Sequence, residues 1–97
     1  MKIIQNEAGN RGKFIVQKEG LTLAKIEYLL PDGNTLSIQH TEVDEALRGQ
    51  KVGYLLVEKV VEYARNKHLK IISSCPFASA ILSRKTKEYE DVLKNTI

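Results

Sequence analysis

The first half of the chain alternates between polar and apolar positions, which is the two-residue period of strands buried on one face. Short strands are predicted over 2–5 and 13–18, joined by a turn over 8–12 in which two glycines and an asparagine permit left-handed backbone angles. A third strand is predicted over 21–30, and the sequence Pro31-Asp32-Gly33-Asn34 ends it with a strong turn. This part of the chain should therefore form an antiparallel meander.

A fourth strand is predicted over 35–43, and its character changes along its length. The two-residue period places Leu36, Ile38, His40 and Glu42 on one face of this strand. The first two side chains are apolar, whereas the last two can carry protons. The core face of the strand should therefore become a polar site near its end.

The second half of the chain has the apolar period of an amphipathic helix. Val52, Leu56, Val60 and Ala64 recur at helical spacing, and charged residues occupy the opposite side. A short apolar run over 70–74 then predicts a buried strand, and the order strand, helix, strand implies a right-handed crossover. The new strand should therefore lie parallel beside the fourth strand.

Two further helices are predicted near the end of the chain. Pro76 suits the first position of one helix, which ends over 84–87. A last short helix is predicted to hold Tyr89, Val92 and Leu93. The element order thus predicts an α+β fold, in which a mostly antiparallel sheet is followed by a βαβα C-terminal half.

Length and composition indicate one soluble domain over 1–97, because 97 residues leave no room for a second core. With 42% hydrophobic and 28% charged residues, the chain is unlike a disordered tail. No apolar run approaches the roughly 20 residues that span a bilayer, and the N-terminus lacks the apolar core of a signal peptide. The single cysteine suits a reducing compartment. We therefore expect a cytoplasmic protein with no membrane partner.

The charge of +3 and the pI near 9.0 indicate an acidic partner. Nucleic acid is disfavoured as that partner, because the aromatic residues are not interleaved with cations as a stacking surface requires. We expect no nucleic-acid partner and no metal site. A monomer or a weak dimer is expected, since a short sheet can pair its edge with another chain.

The segment Leu47-Arg48-Gly49-Gln50-Lys51-Val52-Gly53 lies between a predicted strand and a predicted helix, where a phosphate can bind. The first turn of a helix leaves backbone N–H groups without partners, and the helix dipole adds positive charge there. Glycines let the main chain approach a pyrophosphate closely, and Arg48 and Lys51 add charge. The alternative is an ordinary glycine-bearing loop before a helix.

Three other motifs accompany this loop, namely His40-Thr41-Glu42-Val43, Cys75-Pro76-Phe77 and Glu88-Tyr89. Together with the loop they make residues 36–93 resemble the small, stand-alone proteins of the GNAT (N-acetyltransferase) superfamily. Arg48 and Gly53 match the first and last positions of that family's acetyl-CoA loop, Gln/Arg-x-x-Gly-x-Gly/Ala. Lys51 departs from it, because it stands where the family has its first glycine, so the backbone must avoid a positive φ or tolerate strain.

The resemblance implies a compact GNAT-like fold and acetyl-CoA as co-substrate. The end of the fourth strand would pair with the pantetheine arm, and backbone N–H groups of the loop would hold the pyrophosphate. A second basic cluster, Arg84, Lys85 and Lys87, either serves the coenzyme's phosphates or is a solvated helix face. The residues expected to contact the coenzyme are Val43, Leu47, Arg48, Gly49, Gln50, Lys51, Val52, Gly53, Tyr54, Pro76, Phe77 and Ser79.

Four residues are candidates for the chemistry. Glu42 and His40 are candidate proton acceptors, since superfamily members often place a carboxylate on this strand, but both also suit purely structural hydrogen bonding. Cys75 precedes a helix start, where a thiol pKa is lowered, so it could accept the acetyl group. It could instead contact the pantetheine arm during direct transfer, or be an inert buried thiol. Tyr89 either protonates the departing thiolate, as the resemblance implies, or packs with a solvated hydroxyl.

The sequence therefore indicates an acetyltransferase that moves an acetyl group from acetyl-CoA to an amine, with acetyl-Cys75 as a candidate intermediate. The alternative is a non-catalytic module that binds acetyl-CoA or CoA, which the short chain favours because little protein is left to build an acceptor pocket. Fold and coenzyme loop do not decide between the two functions. The acceptor amine is not indicated by these residues.

Overall fold

Five strands form one sheet in chain order in the computed structural model, which describes residues 2–94. Neighbouring strands are antiparallel except the last pair, which is parallel and is connected through a helix. A second helix follows the last strand. This architecture confirms the predicted α+β fold. The elements are β1 Lys2–Ala8, β2 Arg11–Lys18, β3 Leu21–Asp32, β4 Thr35–Val43, α1 Val52–Lys67, β5 Lys70–Ser73 and α2 Pro76–Arg84, with a short 3-10 turn at Glu45–Leu47 between β4 and α1.

The first hairpin is tighter than the sequence suggested. Pairing continues to Ala8 and Arg11, so the connection is reduced to Gly9 and Asn10. Gly9 has a φ of 62°, which is the left-handed angle that a two-residue hairpin turn requires. Both strands are therefore longer than the predicted spans, because the turn residues themselves extend the ladder.

Both helices pack on the same face of the sheet. Buried residues of β2, β3, β4 and β5 join the buried face of α1 in one hydrophobic cluster, and α2 adds to the same cluster. We call this side the helix face, and we call the opposite side, on which no helix of residues 2–94 packs, the open face. The strand residues that define the helix face are Val16, Ala24, Ile26, Tyr28, Leu36, Ile38 and Ile71.

A polar network joins the edge strand β1 to α1 on the helix face. The Tyr28 hydroxyl donates to Glu7 Oε1 at 2.6 Å, and the Tyr63 hydroxyl donates to the same oxygen at 2.7 Å. Gln5 Nε2 donates to the Tyr28 hydroxyl at 2.8 Å. Burial and the nearby Glu7 raise the pKa of Tyr28, and the same two causes raise that of Tyr63 to about 12. Both phenols therefore remain protonated donors at neutral pH.

The predicted last helix, holding Tyr89, Val92 and Leu93, is wrong. Residues 85–92 form hydrogen-bonded turns, and Leu93 makes an isolated parallel bridge to Ile71 of β5. The Ile71 N–H donates to the Val92 carbonyl at 2.6 Å, and the Lys94 N–H donates to the Ile71 carbonyl at 3.1 Å. The free edge of β5 thus takes the backbone groups that a helix would have used internally. Tyr89 and Val92 are still buried.

A bulge in β4 changes which of its residues share a face. Tyr28 of β3 is paired with Ile38, whereas the preceding residue, Glu27, is paired with His40. Gln39 is therefore an extra residue in the ladder, which is the definition of a β-bulge. Gln39 Nε2 donates to Ser37 Oγ at 2.7 Å, which places the bulge residue on the open face.

The bulge contradicts the predicted placement of His40 and Glu42 beside Leu36. Beyond the bulge it is Thr41 that is paired with the buried Ile26, so Thr41 faces the helices. His40 and Glu42 lie on the open face, and both are exposed. One inserted residue reverses the two-residue parity of every position that follows it. The polar end of β4 is therefore divided between the two faces.

Candidate functional site

Strands β4 and β5 separate at one end of the sheet. Their pairing runs from Thr35 and Lys70 to Ile38 and Ser73, and the Ser74 N–H then donates to the Ile38 carbonyl at 3.0 Å. Beyond this bond, residues 39–43 of β4 have no β5 partner among the described residues. We call this gap, which the chain crosses at Cys75, the β4–β5 cleft.

Cys75 lies in the cleft with its thiol directed at Thr41. Its Sγ is 3.5 Å from Thr41 Oγ1, and the residue is 6% exposed. Burial raises the pKa of the Cys75 thiol, but hydrogen bonds from Thr41 and from the backbone N–H groups of Phe77 and Ala78 outweigh burial and hold the net pKa below its ordinary value. The Cys75 thiol is therefore easier to ionise than an unperturbed cysteine.

Two serines fix the backbone of Cys75. Ser73 Oγ accepts from the Cys75 N–H at 3.2 Å and from Ser79 Oγ at 2.9 Å, and it donates to the Cys75 carbonyl at 3.1 Å. The Ser79 N–H donates to the Cys75 carbonyl at 2.9 Å. Ser79, expected from the sequence to contact the coenzyme, thus uses its hydroxyl within this network. Sequence reasoning missed Ser73, for which only its closeness to Cys75 was a signal.

Thr41 was present in a quoted motif but had no role assigned from sequence. Replacing it by valine removes the hydroxyl at nearly constant volume, so the thiolate of Cys75 loses a hydrogen bond and its pKa should rise. The ionisation curve of Cys75, followed by thiolate ultraviolet absorbance, is expected to move to higher pH in Thr41→Val. Thr41→Ser keeps the hydroxyl and should retain the original curve. An unshifted curve in the valine variant would show that Thr41 does not stabilise the thiolate.

The loop that leads into α1 presents unpaired backbone donors. The N–H groups of Lys51, Val52, Gly53 and Tyr54 donate no hydrogen bond to any of residues 2–94. These are the donors that the first turn of a helix leaves free, and the helix dipole adds positive charge beside them. Leu47 is buried and anchors the start of the loop. The loop therefore offers an anion site at the helix N-terminus.

Lys51 tolerates strain at the position where a glycine was expected. It caps α1 with φ 57° and ψ 30°, in the left-handed region. A non-glycine residue in this region costs roughly 1–2 kcal/mol. Gly49, two residues earlier, has a φ of 80° and meets the same requirement without a side chain. Lys51 therefore has the left-handed conformation that a glycine would adopt without strain.

Gly53 has a different role from the one that its motif position suggested. A Cβ at Gly53 would lie 2.3 Å from Cζ of Phe77, so the Phe77 ring occupies the space that a side chain would need. Phe77 follows the N-terminal Pro76 of α2 and is 45% exposed. The contact therefore joins the first turns of the two helices, on either side of the cleft.

The basic residues Arg84 and Lys85, predicted as a second cluster, lie against Tyr54 in the first turn of α1. Arg84 Nη1 donates to the Tyr54 hydroxyl at 3.2 Å, and Lys85 Nζ lies 5.6 Å from the centre of the Tyr54 ring and 5.9 Å from that of Tyr89. Tyr89 is 3% exposed, and its hydroxyl has no partner in the described part of the chain, Cys75 included. Burial raises the pKa of Tyr89. A protonated, unpartnered phenol thus lies at the C-terminal side of the site.

His40 and Glu42 are separated from the thiol by the thickness of the sheet. Glu42 Oε1 lies 3.5 Å from His40 Nε2, and Glu42 Oε2 lies 3.4 Å from Lys25 Nζ. His40 first, and then Lys25, hold the pKa of Glu42 below its usual value. Thr41 contacts the Cys75 thiol from the helix face. The structure therefore brings Cys75 and Thr41 together, and it places the two candidate proton acceptors on the open face.

Comparison with known protein families shows which family the chain belongs to. The model of GCN5-related N-acetyltransferases matches residues 13–92, which include both helices and the cleft. The chain belongs to the GCN5-related N-acetyltransferase family. This confirms the predicted resemblance to the GNAT superfamily.

Solved structures of other GCN5-related proteins have the same fold. A GCN5-like protein from Staphylococcus aureus, solved by NMR, is 39% identical with a TM-score of 0.74, and the match covers 97% of this chain and 90% of that one. A ribosomal-protein-alanine N-acetyltransferase from Brucella melitensis is 16% identical with a TM-score of 0.61, over 91% of this chain and 64% of that one. Among curated proteins there is no sequence match.

A GNAT family acetyltransferase from Elizabethkingia anophelis, solved with acetyl-CoA bound, is 19% identical with a TM-score of 0.62. The match covers 78% of this chain and 52% of that one, so the chain spans about half the length of this acetyltransferase.

Residues 2–94 of the present chain contain no group of three or more His, Cys, Asp or Glu that could hold a metal ion. Within the same residues, no helix is long and apolar enough to cross a membrane.

Proposed function

We propose that the protein transfers an acetyl group from acetyl-CoA to an amine through an acetyl-Cys75 intermediate. The observation that carries this proposal is the position of Cys75. Its thiol lies in the β4–β5 cleft, within reach of Thr41, and its pKa is held below the ordinary value. The competing roles of Cys75, contact with the pantetheine arm or inert burial, do not require such stabilisation of the thiolate.

The coenzyme would lie along the cleft. Its pyrophosphate fits the free N–H groups of residues 51–54, where Arg48 and Lys51 add positive charge. Its pantetheine amides fit the unpaired edge of β4 over 39–43, because such an edge offers backbone donors and acceptors. Phe77 provides an exposed aromatic wall beside this path. The acetyl-CoA bound to the Elizabethkingia anophelis acetyltransferase supports this choice of ligand.

The chemistry would take place in two steps. In the first, the Cys75 thiolate attacks the thioester carbon, the new carbon–sulfur bond forms, and the bond to the coenzyme sulfur breaks. CoA leaves as a thiolate and takes a proton from solvent. In the second, an amine attacks the acetyl carbon, the carbon–nitrogen bond forms, and Cys75 leaves as thiolate. The amine gives up one proton, for which His40 and Glu42 are the candidate acceptors on the open face.

Release of free CoA in the presence of amines tests this proposal. The protein should release CoA from acetyl-CoA, and adding a reactive amine should increase the rate and yield the acetylated amine. The competing role is a module that binds acetyl-CoA or CoA without turnover. Saturable binding without CoA release across a panel of amines would establish that role instead. We place the activity in the cytoplasm, where the Cys75 thiol stays reduced.

The contact of Gly53 with Phe77 predicts the effect of Gly53→Ala on acetyl-CoA affinity. An alanine in a helix is favoured over glycine by roughly 1 kcal/mol, but the new Cβ would lie 2.3 Å from Phe77 Cζ. Because Phe77 is half exposed, its ring should swing out, so that stability changes by less than about 1 kcal/mol. Acetyl-CoA affinity, measured by calorimetry, should fall several-fold in Gly53→Ala.

A double-mutant cycle identifies the cause of that loss. In a Phe77→Ala background the contact is absent, so Gly53→Ala should have no further effect on affinity. If the substitution weakened binding equally in both backgrounds, Gly53 would be needed for close approach of the pyrophosphate rather than for the ring of Phe77.

A further inference from the structure

The open face carries a row of polar side chains that ends beside the cleft. Strand register aligns Asn6 of β1, Lys13 of β2, Glu27 of β3 and His40 of β4 directly across the sheet. Directly paired residues on one side of a sheet have neighbouring side chains, and strands are spaced about 4.8 Å apart. The row therefore places the Lys13 ammonium two strands, or roughly 10 Å, from the His40 imidazole, and the Glu27 carboxylate lies between them.

A groove of about 800 Å³ lies over most of this row. Asn6, Lys13 and Glu27 line it, and so does Gln39, the bulge residue that precedes His40. The backbone connection between β1 and β2 is only two residues long, so nothing inserted there covers the groove. The groove therefore reaches from the first hairpin to the point where β4 begins to separate from β5.

The charges in the groove are arranged in order along it. Glu27 lines the cleft end of the groove, and Lys25 and Glu42 lie just outside its lining. Glu27 and Glu42 are both within 4 Å of Lys25, at 3.8 and 3.4 Å, so two carboxylates share one cation there.

At the far end, Arg11 and Lys13 line the groove with no ion pair within residues 2–94. Glu7 also lines this end, but its carboxylate accepts hydrogen bonds from Tyr28 and Tyr63 on the helix face. The cleft end is thus net acidic, and the hairpin end is basic.

This pattern is complementary to a molecule with an amine at one end and a carboxylate at the other. The amine would meet Glu27 and His40 beside the cleft, and the carboxylate would meet Lys13 and Arg11. A simple diamine would place its second cation against Lys13, and an alkylamine would leave Lys13 unpaired. The arrangement would therefore discriminate among amines by the chemical group at the end opposite the reacting amine.

We propose that the open-face groove is the acceptor site and that it selects a primary amine carrying a carboxylate about two strand spacings away. The inference rests on the acetyl transfer proposed above. The amine would approach the acetyl carbon from the open face, through the gap between β4 and β5. The acetyl group would be bonded to Cys75 Sγ on the helix face. On attack the carbon–nitrogen bond forms, the bond to Cys75 Sγ breaks, and the amine proton passes to His40 and then to solvent.

Binding of three matched amines tests the proposal without requiring turnover. ε-Aminocaproate, hexylamine and cadaverine share the same chain and differ only at the far end, which is a carboxylate, a methyl group or an amine. Amide chemical shifts of isotope-labelled protein should move saturably with ε-aminocaproate at Asn6, Lys13, Glu27 and Gln39. Its affinity should exceed that of cadaverine by about tenfold, which corresponds to about 1.4 kcal/mol.

Charge reversal at Lys13 provides the decisive variant. Lys13→Glu should invert the ranking, so that cadaverine binds more tightly than ε-aminocaproate. Lys18→Glu, at the other end of the same strand and outside the groove, is the matched control and should keep the wild-type ranking. The proposal is overturned if ε-aminocaproate moves no groove amide at high millimolar concentration, or if Lys13→Glu leaves the ranking unchanged.

CoA release without any amine distinguishes failure of this inference from failure of the proposed function. The half-reaction that forms acetyl-Cys75 needs no amine, so wild type and the control variant Lys18→Glu should release CoA equally. Normal CoA release with an unchanged amine ranking would overturn the acceptor site alone. Absence of CoA release with a ranking that inverts as expected would leave an amine-carboxylate binding groove and remove the acetyl-Cys75 intermediate.

Discussion

Replacing Cys75 by alanine is expected to abolish the acetylated form of the protein and to lower amine acetylation by more than about a hundredfold, because losing a covalent nucleophile removes a whole reaction step. Intact mass measured after incubation with acetyl-CoA should show one added acetyl group in wild type and none in the variant. Peptide mapping should place that group on Cys75. Acetyl-CoA binding itself should change little, since the anion site lies in the first turn of α1.

Ser83→Ala is the matched control for this experiment. Ser83 lies on the exposed side of α2, where its hydroxyl bonds to the Ala80 carbonyl, so its loss should leave both acetylation and turnover unchanged. Turnover within a few-fold of wild type in Cys75→Ala would show direct transfer from coenzyme to amine. Cys75 would then contact the pantetheine arm without becoming acetylated.

Gly12→Ala is expected to produce the largest loss of stability. A Cβ at Gly12 would lie 2.5 Å from the Tyr28 hydroxyl and 2.6 Å from Tyr28 Cζ. The Tyr28 ring cannot swing out as Phe77 can, because Tyr28 is 1% exposed and is held by Glu7 and Gln5. Overpacking and the broken network should together cost roughly 2–4 kcal/mol in the free energy of unfolding. Urea unfolding followed by circular dichroism measures this loss.

The same substitution at Gly33 controls for the change of residue type. A Cβ at Gly33 meets nothing within 4 Å, and its φ is not positive, so Gly33→Ala should stay within about 0.5 kcal/mol of wild type. Equal losses at Gly12 and Gly33 would show that the Tyr28 network does not fix the position of the first hairpin.

Periodicity predicted the elements because each of them is buried on one side. The helical spacing of Val52, Leu56 and Val60 gave α1, and the parallel pairing of β4 with β5 followed from the crossover. Periodicity failed at the end of the chain, where the spacing of Tyr89, Val92 and Leu93 suits a helix. There the unpaired edge of β5 forms hydrogen bonds with the same backbone groups that a helix would use. The spacing of apolar residues cannot predict this pairing, because it depends on a strand that is distant in the sequence.

The site was predictable in its residues and not in its geometry. The loop at Arg48, the thiol at Cys75 and its position at a helix start were all visible in the sequence. The bulge at Gln39 was not, because no glycine or proline marks it, and one extra residue moved His40 and Glu42 to the other face. The contact that fills the space above Gly53 was likewise invisible, since it joins two helices that are distant in sequence.

We expect acetyl-CoA to bind in the β4–β5 cleft, with its pyrophosphate at the first turn of α1. An amide chemical-shift titration of isotope-labelled protein with acetyl-CoA and, separately, with CoA tests this binding site. Saturable shifts are expected over residues 41–54 and 75–79, and the difference between the two ligands should be concentrated at Thr41 and Cys75. If these segments show no shifts at millimolar coenzyme, acetyl-CoA does not bind in the cleft.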